Sequence, residues 1–181
     1  MSRRLYARAT AIAAATFAIS FSVIAVTDPL PRIVWNASAS APIGLYRIQP
    51  DRDPPLGTLI AIAPPPHLGR WMAARGYLGE NVPLLKHVAA KAGQRVCRIG
   101  GTVTVDGQPV TLALTHDRLA RPLPVWRGCR TLAADELLLL NPAHPDSLDG
   151  RYFGPLSTAT VLGRAIPIVT RNTPDAPLTW R

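Results

Sequence analysis

At 181 residues the chain is long enough for one domain with a substantial core. Its formal net charge is +9, with 20 lysines and arginines against 11 acidic residues, and Lys86 and Lys91 are the only lysines. The four histidines, His67, His87, His116 and His144, are scattered without ligand spacing, which argues against a metal site.

The N-terminus reads MSRRLYAR and then ATAIAAATFAISFSVIAV. Residues 9–26 carry no charge and would span roughly 27 Å as a helix, enough for most of a bilayer. Arg3, Arg4 and Arg8 precede the run and Asp28 follows it, so the positive-inside rule places the N-terminus in the cytoplasm. The run is long for a signal-peptide core and no A-x-A site closes it, which favours a retained anchor over a cleaved leader. The expected organisation is therefore a cytoplasmic stub at 1–8 and a transmembrane anchor at 9–30. An extracytoplasmic domain at 31–170 and a loose C-terminal tail at 171–181 follow. A basic domain outside the cytoplasm is placed to meet acidic membrane surface and not nucleic acid.

Nineteen prolines and thirteen glycines cut the outer domain into short pieces. GLYRI, GTLIAIA, PLLKHVAA, QRVCRI, GTVTVDGQPVTLAL, DELLLLN and TVLGRAIPIV all read as strands, and TVDGQPV carries the D-G signal of a tight hairpin. Only residues 67–79, HLGRWMAARGYLG, look helical, for about two or three turns. The expected fold is mainly β, with one short helix, on a single N-terminal membrane helix. Cys97 and Cys129 suit a disulfide in an oxidising compartment, the alternative being two unrelated buried thiols.

Three stretches carry groups capable of chemistry. In VPLLKHVAA a strand would place Lys86 on one face with Leu84 and Val88, and His87 on the other. An amine desolvated among apolar neighbours loses its proton and becomes a usable base, whereas a strand-edge lysine would reach out to water. In NASASAPIGLY an extended backbone would point Ser38 and Ser40 the same way, about 6 to 7 Å apart. One hydroxyl could attack a carbonyl while the other binds the developing oxyanion, given a neutral base in reach. No G-x-S-x-G elbow or local S-x-x-K is present, so Lys86 is the credible partner. In HPDSLDGRYFGPL, Ser147, Asp149 and Arg151 alternate and would share one side of a strand-like segment. Asp149 and Arg151 would then form a local ion pair and Ser147 would orient an amine; the plainer alternative is a turn followed by an exposed charge pair.

The order of these pieces is more informative than any one of them. A membrane anchor, then S-A-P-I-G-L-Y, then L-L-K-H-V-A-A-K-A-G, then S-L-D-G-R-Y-F-G-P resembles the type I signal peptidases. Within that superfamily the chain is most similar to the TraF-type conjugative-transfer peptidases, which mature pilin precursors. The resemblance runs from Arg3 to about Thr170 and takes in RGYLG before the lysine strand, RPLPVW at 121–126 and GRAIPIV near the end. It implies Ser40 as nucleophile and Lys86 as general base, with Ser38 supporting the oxyanion and Ser147 bonding the lysine amine. Asp149 matches the block's aspartate and Arg151 its ion-pair partner.

Where general signal peptidases have methionine after the serine, this chain has Ala41; His87 stands where arginine is common, and Ala92 and Gln94 replace the proline and aspartate of a P-G-D turn. The resemblance implies no cofactor. It implies an exported, pilin-like precursor with small residues before the cut as substrate. The membrane, and other conjugative transfer proteins, are the further implied partners. The implied location is the bacterial inner membrane, single-pass, with the catalytic domain in the periplasm. Three alternatives differ in class or outcome: a pilin cyclase that captures the acyl-enzyme with the substrate's own amine, a self-cleaving repressor-type protease, and a non-catalytic subunit of a transfer apparatus.

Overall fold

The computed structural model describes residues 3–27 and 31–181. Met1, Ser2 and residues 28–30, including Asp28 of the expected outer flank, lie outside the described residues. The chain divides into two compact units, Met1–Pro31 and Arg32–Arg181.

In the first unit, helix α1 (Arg3–Thr27) runs unbroken for 25 residues with no buried side chain. Its length and apolar composition suit a membrane span. The hydroxyls of Thr16, Ser22 and Thr27 donate to the carbonyls of Ile12, Ala18 and Val23 one turn back. These three hydroxyls are thus satisfied within the helix, as a hydrocarbon environment favours.

The second unit is built from short antiparallel strands. In chain order β1 to β4 are Ile33–Asn36, Ile43–Gln49, Leu59–Ile62 and Leu84–Ala90. Strands β5 to β8 are Arg95–Ile99, Thr102–Val105, Gln108–Leu112 and Gly128–Thr131, and β9 to β12 are Glu136–Leu140, Leu156–Ser157, Val161–Arg171 and Thr179–Trp180. The main sheet runs β1-β2-β11-β3-β4-β9-β10, with β12 also on β11, and a smaller sheet runs β7-β6-β5-β8. The chain passes between them at the turn after β4. There Gly93 takes a φ of +83 and the Gln94 side chain accepts from Lys91 N.

The apolar run of β9 shows how the two sheets share a core. Leu137 and Leu139 pack with Ile60, Val88 and Met72, while Leu138 and Leu140 pack with Ala90 of β4 and with Val96 and Val103 of the smaller sheet. A strand covered on both faces reads as a continuous hydrophobic stretch and not as an alternation, which is why ELLLL carries no polar break.

The mainly β architecture is as expected, and most boundaries follow from local chemistry. Asp106 and Gly107, with φ of +48 and +82, form the two-residue turn between β6 and β7 that the D-G signal implied. Helix α2 spans Pro66–Ala74 and stops five residues before the expected end at Gly79. Gly76 takes φ +69 and donates to Ala73 O while Tyr77 N donates to Met72 O, a Schellman arrangement that closes the helix. A third helix, α3 (Gly150–Phe153), is one turn long and was not expected. The tail is not wholly loose: Thr179–Trp180 pairs with Val169–Thr170, and Arg181 Nε donates to Thr170 Oγ1 at 3.0 Å.

Cys97 and Cys129 form a disulfide between directly opposed positions of β5 and β8. Every residue of β8 is exposed, so little burial holds that edge strand in place. Closing a loop with a sequence separation of 32 stabilises the folded state by about 3 to 4 kcal/mol on the chain-entropy model. The paired substitution Cys97→Ala/Cys129→Ala should lower the urea midpoint by a corresponding amount, and an unchanged midpoint would mean the sheets hold β8 without it.

Candidate active site

The β1–β2 connection carries Ser38 and Ser40, and its shape is set by Asn36. The Asn36 amide donates to Ser38 O, Ala41 O and Pro42 O at 2.9, 3.1 and 3.0 Å. Its carbonyl oxygen accepts from both the backbone N–H and the hydroxyl of Ser38. One buried asparagine therefore satisfies the loop's polar backbone and folds it into a compact turn. The segment is not extended as its alternation suggested. The two hydroxyls lie 3.0 Å apart, hydrogen-bonded to each other, instead of the 6 to 7 Å of a strand. Below them the buried Tyr46 hydroxyl donates to Pro42 O at 2.6 Å, and burial pushes its pKa up to about 12.

Lys86 sits in the middle of β4, opposite Ile60 of β3 and on the face it shares with Leu84 and Val88. It is only 4 % exposed, so it does not reach out to water. Its Nζ donates to Ser147 Oγ at 2.8 Å and lies 3.4 Å from Ser40 Oγ. Burial lowers the amine to about 8; Asp149 pulls it back up and Arg151 reinforces the fall. The other lysine, Lys91, pairs with Asp53 at the surface.

Ser147, Asp149 and Arg151 come together, but not on a strand. Ser147 ends a turn, and Asp149 caps α3 by accepting from Arg151 N. The ion pair is the reverse of the exposed alternative: both side chains are 0 % exposed, and the carboxylate meets Arg151 Nε and Nη2 at 2.8 and 2.9 Å. The remaining Arg151 donors hold the carbonyls of Asn141, His144 and Pro145, so one guanidinium fixes the whole 141–147 turn. Gly150 lets this block lie flat on β9, because a Cβ there would stand 2.8 Å from Leu139 O.

Asn141, together with Asn36, is a structural member of the site that the sequence reading missed. Where β9 leaves β4, the Asn141 side chain replaces the lost ladder, donating to Leu85 O and accepting from His87 N. Its backbone N–H is then free to donate to Asp149 Oδ2 at 2.9 Å. An asparagine just before a proline at the end of an apolar strand, LLLLNP, was the available signal, as N-A-S was for Asn36.

A cleft of about 480 Å³ opens beside these groups, with Met72, Leu84, Leu114, Leu123 and Leu148 among its apolar walls and Ser40, Lys86 and Ser147 at its polar end. Such a cavity can hold an extended chain with a half-buried hydroxyl and a buried amine against one of its bonds. Among the described residues, no three metal-ligating side chains gather anywhere in the chain.

Holding a charged amine in this setting opposes folding. An unfolded Lys86 titrates near 10.5 and the folded one at about 8, so the folded state binds fewer protons between those values and loses stability as pH falls through them. Below pH 8 the full penalty, about 3 kcal/mol, is present. Lys86→Met should therefore stabilise the fold at pH 7 by on the order of 2 kcal/mol and flatten its stability between pH 8 and 10.5. Urea titrations across that range check it, and a destabilised variant would contradict the burial penalty.

The model of the signal peptidase, peptidase S26 family matches residues 4–170. A probable conjugal transfer protein TraF of Sinorhizobium fredii is 39% identical over 146 residues, covering 75% of this chain and 76% of that protein. The conjugal transfer protein TraF of Agrobacterium fabrum is 33% identical, over 75% of this chain and 81% of its own length. A crystal structure of a signal peptidase I from Enterococcus faecalis aligns with 62% of this chain and 96% of that one, at 20% identity and a TM-score of 0.37.

Proposed function

The chain belongs to the signal peptidase family, peptidase S26, and on that footing we propose that it is a membrane-anchored endopeptidase using Ser40 as nucleophile and Lys86 as general base. The observation that carries this reading is the position of the Lys86 amine, buried between Ser147 Oγ at 2.8 Å and Ser40 Oγ at 3.4 Å. Ser147 takes one N–H of the neutral amine and leaves its lone pair to face Ser40. Hydrogen bonds of this kind are often long before substrate arrives and shorten in the complex.

In the proposed reaction Lys86 removes the Ser40 proton as Oγ attacks the scissile carbonyl. The oxyanion is held by the Ser40 N–H and by the Ser38 hydroxyl, which turns from its Asn36 acceptor to donate. Lys86 then gives its proton to the departing amine, and the same lysine activates the water that releases the acyl group. Asp149 and Arg151 do not touch the reacting atoms; they hold the turn that presents Ser147.

The proposed substrate class is supported by the names of the chain's relatives. Its relatives are named conjugal transfer proteins, so the proposed substrate is an exported precursor of a conjugation apparatus, most simply a pilin. Small residues, commonly alanine, precede the cut, and the chain lies extended in the cleft. In the proposed topology the N-terminus is cytoplasmic and the peptidase unit periplasmic, a reading supported by Arg3, Arg4 and Arg8 at the start of α1.

Ser40→Ala and Lys86→Ala should each lower precursor cleavage by at least ~10³-fold, because the two groups act as a unit. Since only the neutral amine is a base, kcat/KM should rise about tenfold per pH unit up to about 8 and then level. Maturation that survives both substitutions would overturn the mechanism, as would a limb at the ordinary lysine value.

A further inference from the structure

The run Arg121-Pro122-Leu123-Pro124-Val125-Trp126 has no part in the chemistry above, yet it leads from the lining of the cleft at Arg121 and Leu123 to the core of the smaller sheet at Trp126. Two prolines fix its backbone in an extended form. Leu123 is buried with Ala113 and Tyr152, Pro124 O accepts from Arg98, and Trp126 Nε1 donates to Gly150 O at 2.9 Å. The Trp126 ring packs on the core of the smaller sheet.

Arg98, on β5 beside Cys97, meets the same block. It is 3 % exposed, its Nη1 donates to Arg151 O at 2.5 Å, and its guanidinium faces the Tyr152 ring at 5.7 Å. Among the described residues no carboxylate pairs with it, and its Nε is buried without a partner. A buried cation without a counter-ion is costly, so what it holds has to matter to the fold around it. It holds a carbonyl of α3, next to the one that Trp126 holds. Gly150 O also accepts from Gly154 N at the end of the turn, and the two donors from Arg98 and Trp126 tie this one-turn helix to the smaller sheet from outside.

We infer that Arg98 and Trp126 are positioning residues for the Lys86 amine, fixing α3 and the Ser147 turn from the side of the smaller sheet. The path is short: the Arg151 carbonyl and the Asp149–Arg151 pair belong to one backbone turn, and Ser147, two residues earlier, bonds Lys86 Nζ. If α3 drifts from β9, Ser147 withdraws and water reaches the amine. The charged groups that bear on Lys86 from this block are Asp149 and Arg151. His144 and Asp146 line the cleft from the adjoining turn, Asp117, Arg118 and Arg121 from the loop beyond and Arg75 from the end of α2; Asp146 is paired to Arg118 and Asp117 to Arg121. None of these replaces the burial that α3 provides. Losing the brace therefore moves Lys86 up, towards an ordinary lysine, and depletes its neutral form at pH 7. The inference rests on the proposed peptidase reading only for its consequence in catalysis.

The chain's two lysines make the test direct. Full-length protein in detergent, labelled with 13C at lysine Cε, gives two lysine side-chain signals, and Lys91→Arg assigns them. Titrations of wild type, Trp126→Phe, Arg98→Gln and Val125→Ala are compared, none of which adds a lysine. Trp126→Phe keeps an aromatic ring and removes only the donor, so it remains readable should Arg98→Gln unfold. The Lys86 signal should titrate higher by about half a unit or more in Trp126→Phe and Arg98→Gln, and stay in place in Val125→Ala, whose side chain is exposed. An unmoved Lys86 in a folded Trp126→Phe would overturn the inference, as would an equal shift in Val125→Ala. Precursor cleavage is assayed on the same samples. A wild type with a depressed Lys86 that cuts nothing contradicts the peptidase reading and leaves the brace standing; one that cuts while the variants leave Lys86 unmoved contradicts the brace alone.

Discussion

Lys86 carries an amine on the buried face of a central strand, flanked by Leu84 and Val88 and opposite Ile60. Desolvation of that amine is the constraint to which the surrounding elements answer. A strand edge would have let the side chain reach water and stay charged; the middle of β4, with β3 on one side and β9 on the other, does not. The 141–151 segment then closes over the amine and supplies its polar contact, Ser147 Oγ, without admitting solvent. The fall of the amine's pKa to about 8 is thus a property of the sheet's interior, and the fold carries the charged form at a cost in stability of about 3 kcal/mol below pH 8.

Three segments far apart in the chain converge on that point, and each is held by a polar side chain whose own partners are complete. Asn36 shapes the serine loop, Asn141 takes over where the β4–β9 ladder ends, and Arg151 gathers the carbonyls of the last turn. A satisfied buried network fixes one geometry, because any alternative leaves a buried donor or acceptor unpaired at about 1 to 3 kcal/mol. This is how a unit with so many prolines and so little regular helix can hold two hydroxyls within reach of one amine, with a third bonded to one of them.

Much of this was legible in the residues. Strand alternation in PLLKHVAA already placed Lys86 with Leu84 and Val88, and the D-G turn and most strands lie where composition and pattern set them. The exceptions share a cause. The serine loop and the SLDGR block both alternate like strands, and both are folded otherwise by side chains that bond their own backbone, Asn36 in one and Asp149 in the other. Such local bonds leave no periodic trace. Strand β8 escaped because GCRT has no buried face, and β1 because IVWN is too short to show one. The burial of the Asp149–Arg151 pair depends on β9 and Gly150 and could not be read from spacing.

The central claim is that a buried, neutral Lys86 makes Ser40 a nucleophile. The most direct measurement is the mass of the protein quenched in acid while it turns over a peptide ester, followed by mapping of the adduct. An acyl group on Ser40, forming faster as pH rises through about 8 and absent in Lys86→Met, is the predicted result. Turnover with no adduct on Ser40, or an adduct that forms equally fast without Lys86, would contradict the account.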